Sequence, residues 1–298
     1  MSPDIYYGID VGGTSIKIGR FTPEGLADKW SIPTDHQNGG RNILSDIASC
    51  LSGNATAAAL AVPGAVLPDG TVNRCINLGW GLCCPGEELE ARTGIPCRVL
   101  NDANAAALGE HWKGRGQGHS SLLMVTLGTG MGTGIVQDGI LLAGAHGAAG
   151  ELGHMCMDPL ETALCTCGRR GCLEQYCSAT GITTLAAKAG LIVKNARDVF
   201  SLAAAGNTAA AAVLNKTCDT LGRGLAIACC ALDPEIILLG GGVSQAGETL
   251  RARTEAAFRT YAFRAHRDTP VLLAGLGNDA GIYGAAKFAM MPDGYTWA

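Results

Sequence analysis

Ile5–Gly25 reads IYYGIDVGGTSIKIGRFTPEG, two apolar runs on either side of a glycine pair. The pattern predicts a strand, a tight turn at Gly12, Gly13 and Thr14, and a returning strand through Ile16 and Ile18. The order restarts at Ser121–Gly139, SLLMVTLGTGMGTGIVQDG, and a further strand–glycine junction opens a helix in Pro234–Thr254, PEIILLGGGVSQAGETLRART. A repeated strand–glycine turn–strand unit predicts two α/β domains of like construction. Between the copies, Ile43, Ile47 and Leu51 have helical spacing, AAALAVPGAV reads as a buried strand ending in a Pro-Gly turn, and CRVLNDANAAALGEHWKG reads as a strand leading into a helix. The polar stretch from Lys113 to Ser121 is the expected boundary. It divides the chain into residues 1–118 and 119–284, with a terminal helix over about 285–298 packing back on the first domain.

The bulk numbers agree with a globular chain of this size. Of 298 residues, 47% are apolar and 16% charged, and the net charge is −4. That balance argues against nucleic-acid and anionic-membrane partners. No uninterrupted apolar run reaches the roughly 18 residues of a spanning helix. The opening MSPDIYYGID has neither a basic nor an apolar signal region, so the expected location is the cytoplasm, where thiols stay reduced. The 13 cysteines are an odd number, which also speaks against a disulfide scaffold.

Three of those cysteines stand in CTCGRRGC. With an upstream imidazole they give the spacing His154-x10-Cys165-x-Cys167-x4-Cys172. Three thiolates and one imidazole suit tetrahedral zinc and leave no open position, so the expected role is structural. Gly168 and Gly171 would let the chain fold back, and Arg169 and Arg170 would offset the negative charge. Buried, metal-free thiols are the alternative, and Cys156 is a competing ligand.

The glycine turns expose backbone N–H groups that suit phosphate, although none matches a dinucleotide fingerprint or a P-loop. Asp10 precedes the first turn, where it either faces a hydrated magnesium ion or bonds its own turn. Several apolar stretches end in polar residues that suit a polyhydroxyl ligand: Asn77, Asn101 with Asp102, Glu151 with His154, and Glu174. Asp102 reads either as a helix N-cap or as a base. The helix dipole there favours its ionised form, which suits accepting a proton from an alcohol attacking phosphorus.

Taken together, DVGGTSIK, NDANAAALGE, VTLGTGMGTG, GAHGAAGELGH, CTCGRRGCLE and LLGGGVSQAG closely resemble the ROK family of bacterial sugar kinases and repressors, and within it the glucokinases. The resemblance runs along essentially the whole chain, in order. It implies an actin-like, hexokinase-type (ribonuclease H-like) fold of two α/β domains with a central cleft. It also implies ATP-dependent phosphorylation of a hexose 6-hydroxyl, with glucose as the sugar; the alternatives are an N-acetylmannosamine, glucosamine or other hexose kinase, or a non-catalytic sugar sensor. On this resemblance Asp102 is the catalytic base, and Gly64, Asn77, Asn101, Glu151, His154 and Glu174 line the sugar site. His154 would give one ring nitrogen to zinc and the other to a sugar hydroxyl. ATP and magnesium would be held by Asp10, Gly12, Gly13, Thr14 and Lys17, by Thr126, Gly128, Thr129, Gly130 and Gly132, and by Gly240, Gly241 and Gly242 against the adenosine. The partners implied are a sugar, a nucleotide and further copies of the chain in a dimer or tetramer. ROK repressors carry a DNA-binding segment before DxGGT; here that motif begins at residue 10, so a regulator is not expected. Thr133 stands where many glucokinases have glycine, and the segment between His154 and Cys165 would modulate access to the sugar.

Overall fold

The structure is a computed structural model that describes residues 4–292. Its elements follow in chain order as β1 (Tyr6–Val11), β2 (Ser15–Thr22), β3 (Gly25–Pro33), α1 (Ile43–Ser49), β4 (Ala57–Val62), α2 (Pro85–Thr93), β5 (Cys97–Asn101) and α3 (Asp102–Lys113). Next come β6 (Leu122–Leu127), β7 (Met131–Gln137), β8 (Ile140–Leu142), α4 (Glu174–Cys177), α5 (Ala179–Lys188) and α6 (Ala196–Ala204). The chain ends with α7 (Thr208–Leu232), β9 (Ile236–Gly240), α8 (Glu248–Tyr261), β10 (Val271–Leu273) and α9 (Ala280–Ala289). The strand–turn–strand readings at β1–β2 and β6–β7, and the strand–helix reading at β5–α3, match these elements.

The chain divides into two compact units. One contains residues up to Ser120, then Gly134–Gly150, and resumes at Asn278; the other contains Ser121–Thr133 and Glu151–Gly277. The described terminal helix, α9, starts at Ala280, earlier than the expected 285. Residues 293–298 of that expectation lie outside the described residues.

In the first unit the sheet order is β3-β2-β1-β4-β5. β1 pairs antiparallel with β2 and parallel with β4, and β4 pairs parallel with β5. The apolar alternation of β1 and β2 sends Tyr7, Ile9, Val11, Ile16 and Ile18 into one core with Leu60, Val62 and Ile47. On the other side α9 comes unusually close to both α3 and the sheet. A Cβ on Gly284 would collide with the Ala105 carbonyl of α3, one on Gly109 with the Ala280 carbonyl, and one on Gly8 with the Ile282 carbonyl. Glycine lets these backbones touch, and the α3 N-terminus is thereby held against a rigid support.

The second sheet has the order β10-β9-β6-β7-β8. β9 lies between β6 and β10, parallel to both, and all five of its residues, Ile236–Gly240, are buried. Strands covered on both faces read as continuous apolar runs, which is what ILLG and LLMVTL are. At the carboxyl ends of β6 and β9 the chain turns through glycines. Gly241 has φ +80°, and a side chain there would strike the Leu127 backbone. Among the described residues, no helix is long and apolar enough to cross a membrane.

Candidate active site

The first unit gathers one group of the expected residues. Asn101 ends β5 with extended backbone, and its side chain accepts the N–H groups of Ala103 and Asn104. Asn101 is therefore the cap of α3, and Asp102 is its first helical residue. The Asp102 Oδ1 also accepts the Ala103 N–H at 2.8 Å. Asn101 Nδ2 donates to the Gly64 carbonyl at 3.1 Å, so the Pro-Gly turn after β4 is tied to the start of α3. Cys75 donates its thiol to the neighbouring Pro63 carbonyl. Asn77 lies exposed in a short 3-10 turn, with its carbonyl 4.0 Å from where a Cβ on Gly13 would stand.

Asp10 and Lys17 face each other across β1 and β2, with Lys17 Nζ 3.2 Å from Asp10 Oδ2. Lys17 also donates to the Asn278 carbonyl at 2.8 Å. The carboxylate lies against the start of α9, where a Cβ on Gly281 would be 2.8 Å from Asp10 Cγ. The Gly12–Thr14 turn is held from outside its hairpin: Thr34 donates its hydroxyl to the Gly12 carbonyl, and the Thr34 N–H binds the Thr14 carbonyl. One carboxylate beside a paired lysine suits a magnesium–phosphate group, which keeps most of its waters and takes few protein ligands.

The second unit gathers the other group. His154 Nδ1 lies 3.8 Å from Cys165 Sγ, and Cys167 Sγ lies 3.7 Å from Cys172 Sγ. The ligand atoms of all four residues fall within 4.8 Å of one another. A tetrahedral zinc with sulfur at about 2.3 Å has ligand–ligand edges of about 3.8 Å, which these two pairs match, so the four donors suit such an ion once the wider edges draw in. The exposed Cys156 is not part of this cluster. Burial pushes the Cys172 thiol up to about 12 and raises that of Cys165. Burial also opposes ionisation of Cys167, but there the Arg169 backbone N–H, the two neighbouring thiols and the Arg169 charge win, and its thiol titrates below the usual value. The Arg169 side chain donates to the His154 carbonyl at 2.9 Å.

The other face of the imidazole is directed elsewhere. His154 Nε2 lies 3.8 Å from Glu151 Oε2, across the 3-10 turn Leu152–His154. The buried Thr133 hydroxyl accepts the Leu152 N–H at 3.4 Å, so the residue that departs from the common glycine steadies this turn. The segment between His154 and Cys165 is anchored as well. Arg223 donates to the Met157 carbonyl, and Tyr176 donates from its hydroxyl toward Asp158 and Glu161.

Glu174 Oε2 accepts the Met131 N–H at 2.9 Å and its Oε1 accepts the Thr166 hydroxyl at 3.1 Å. Thr126 bridges the base of the β6–β7 turn by donating to the Gly132 carbonyl. Beside this turn opens a cavity of about 810 Å³, lined among others by Gly128, Thr129, Asn195, Phe200, Gly242 and Gln245. Gly240 and Gly241 are not among its lining residues. Asn195, the N-cap of α6, and Phe200 within that helix escaped the sequence reading. Their one local signal is an N-cap pattern, since Asn195 accepts the Asp198 N–H, and that pattern marks a helix start rather than a cavity wall.

The ROK family pattern matches residues 6–291. A glucokinase of Halalkalibacterium halodurans is 41% identical over an alignment of 313 positions, covering 95% of this chain and 94% of the relative. A ROK hexokinase from Thermus thermophilus superposes with a TM-score of 0.85 at 33% identity, covering 96% of this chain and 97% of that one. A ROK family glucokinase from Streptomyces griseus, solved in complex with glucose and AMPPNP, does so with a TM-score of 0.81 at 31% identity, covering 96% and 99%. The fold is thus the α/β, actin-like fold of these kinases, and the chain belongs to the ROK family.

Proposed function

We propose that the protein is a cytoplasmic, ATP-dependent hexose kinase that phosphorylates the 6-hydroxyl of glucose. The observation that carries the reading is the division of labour at the β5–α3 junction. Asn101 caps the helix through the Ala103 and Asn104 N–H groups, and Asp102, which shares the Ala103 N–H, presents its carboxylate in the first turn, where the helix dipole favours the ionised form. In this reading Asp102 accepts the hydroxyl proton as the sugar oxygen attacks phosphorus. Asn101 and Gly64, held together, line the sugar pocket with Asn77. Glu151, His154 Nε2 and the remaining acceptor capacity of Glu174 bind sugar hydroxyls. The identity with a glucokinase over nearly the whole chain supports the choice of sugar.

The second-unit cavity takes the nucleotide, with its phosphates toward the Gly128–Gly132 turn; in the first unit, Asp10, Lys17 and the Gly12–Thr14 turn offer groups that suit magnesium and phosphate. Gly240 and Gly241 let β9 end close to β6 so that Gly242 reaches the cavity. Phosphoryl transfer leaves a protein mainly positioning and charge stabilisation to perform, which is what this residue set offers. His154 Nδ1 and the sulfurs of Cys165, Cys167 and Cys172 would hold zinc, which would serve a structural role, and His154 so held would keep Nε2 for substrate. The chain works as a homodimer or tetramer.

The test is ADP formation over a panel of hexoses and amino sugars, with oligomeric state read by sedimentation. Glucose-dependent ADP formation is expected. Nucleotide and sugar binding without any sugar-dependent turnover would instead support a sensor.

A further inference from the structure

Glu174 is joined to two different parts of the second unit. Toward the metal-ligand segment, its Oε1 accepts the Thr166 hydroxyl at 3.1 Å and lies 3.6 Å from Cys165 Sγ. Toward the β6–β7 turn, its Oε2 accepts the Met131 N–H at 2.9 Å. The contact at the turn is close: a Cβ on Gly130 would stand 2.6 Å from Glu174 Oε2.

The chain that follows holds the same turn again. α4 passes directly into α5 through Ser178, whose hydroxyl donates to the Glu174 carbonyl and accepts the Gly181 N–H. The Ala179 N–H then binds the Gly128 carbonyl, and the Thr180 hydroxyl binds the Thr129 carbonyl, both at 2.8 Å. Gly128, Thr129 and Met131 are therefore each bound through their main chain by residues 174–180. This gripping segment starts just after Cys172, one of the four clustered donors. Gly128 and Thr129 also form part of the cavity wall.

We infer that Glu174 is a positioning residue that couples the metal-binding segment to the nucleotide-side turn Gly128–Met131. The inference rests on the kinase reading, and it goes beyond a sugar-binding role for this carboxylate. A metal held by Cys165 and Cys172 fixes both Thr166 and the start of α4. Glu174 then has its two oxygens in set directions, and the turn keeps the shape that lines the cavity. Without the metal, the Thr166 end is free to move and the turn loses one of its three holds. Metal loading should consequently alter nucleotide affinity, even though the metal-ligand cluster and the cavity are built from different residues.

The experiment measures AMPPNP binding calorimetrically in the absence of sugar, on the full chain, alongside zinc content and hydrogen exchange of the Met131 amide. Glu174→Ala is expected to retain zinc, lose protection at Met131 and bind AMPPNP roughly tenfold more weakly, the scale for losing a charge-assisted hydrogen bond. Glu174→Gln, whose amide oxygen still accepts the Met131 N–H, should recover most of that affinity. Chelator-stripped wild type should show a loss similar to that of Glu174→Ala, and stripping Glu174→Ala should add little more. If Glu174→Ala does not fold, Thr166→Val carries the test, because it takes an exposed hydroxyl away from Glu174 and from the Cys165 sulfur while the Glu174–Met131 bond stays; with zinc retained, several-fold weaker AMPPNP binding is expected. Wild-type AMPPNP affinity in the zinc-loaded Glu174→Ala or Thr166→Val variant, or in stripped, folded wild type, overturns the coupling while leaving the kinase reading intact. Wild-type protein that binds no AMPPNP overturns both.

Discussion

His154 turns its Nδ1 toward Cys165 Sγ, 3.8 Å away, while its Nε2 lies on the side of Glu151. One imidazole therefore faces a cluster of sulfurs with one nitrogen and a carboxylate with the other, and removing a sulfur should disturb both sides. About one zinc per chain is expected by elemental analysis, and Cys167→Ser should lose both the metal and sugar affinity. Affinity for zinc should fall as pH falls. Burial holds protons on the Cys172 and Cys165 thiols, and a bound metal must displace them. Zinc titrations at several pH values check the sign. Active protein that carries no zinc after chelator washing contradicts the metal assignment.

Asp102→Asn should keep sugar affinity within several-fold and lower turnover by roughly 100-fold or more, the scale for a lost general base. The cap supplied by Asn101 is untouched, so thermal stability should change little. Sugar binding by calorimetry and steady-state turnover separate the two effects. Near-normal turnover would assign the base to another group.

Gly284→Ala should destabilise the protein by about 1–3 kcal/mol, because the added methyl collides with the α3 backbone at Ala105, which cannot yield as a side chain would. Gly53→Ala is the control: a Cβ there would stand 4.0 Å from the Thr93 carbonyl, and its φ is not in the left-handed region. Urea unfolding of both variants checks the difference. An equal effect of the two would mean that the close α3–α9 approach is not rigid.

Glucose should be the best acceptor, ahead of mannose, fructose and N-acetylmannosamine. A pocket that pairs each equatorial hydroxyl leaves one polar group unmatched with an epimer, at about 1–3 kcal/mol, or roughly 5- to 150-fold in preference. The segment between His154 and Cys165 is tied down at Met157, Asp158 and Glu161, so its shape should be the same with and without sugar. Specificity constants for glucose, glucosamine, allose and N-acetylmannosamine check the ranking; a clear preference for any of the last three contradicts it.

Local chemistry alone made much of this molecule legible. Alternating apolar residues around Gly12-Gly13 can form only a hairpin with its apolar face buried, and the structure has β1 and β2 there. The Cys165, Cys167 and Cys172 spacing brings three sulfurs together because glycines bend the chain within a few residues, and the clustered donors follow from that. Tertiary packing decided what lies far apart in sequence. Whether Asn101 or Asp102 caps α3 depends on backbone angles that only the strand–helix junction sets. Whether Glu174 faces the β6–β7 turn depends on where α4 and α5 are packed, and no periodicity encodes that direction. The α6 wall of the cavity was invisible for the same reason: Asn195 is an ordinary N-cap and Phe200 an ordinary helix residue until folding sets them beside Gly128 and Gly242. Short-range sterics and hydrogen bonding write secondary structure and close-spaced donors into the sequence, whereas contacts between distant segments arise only from the shape of the packed core.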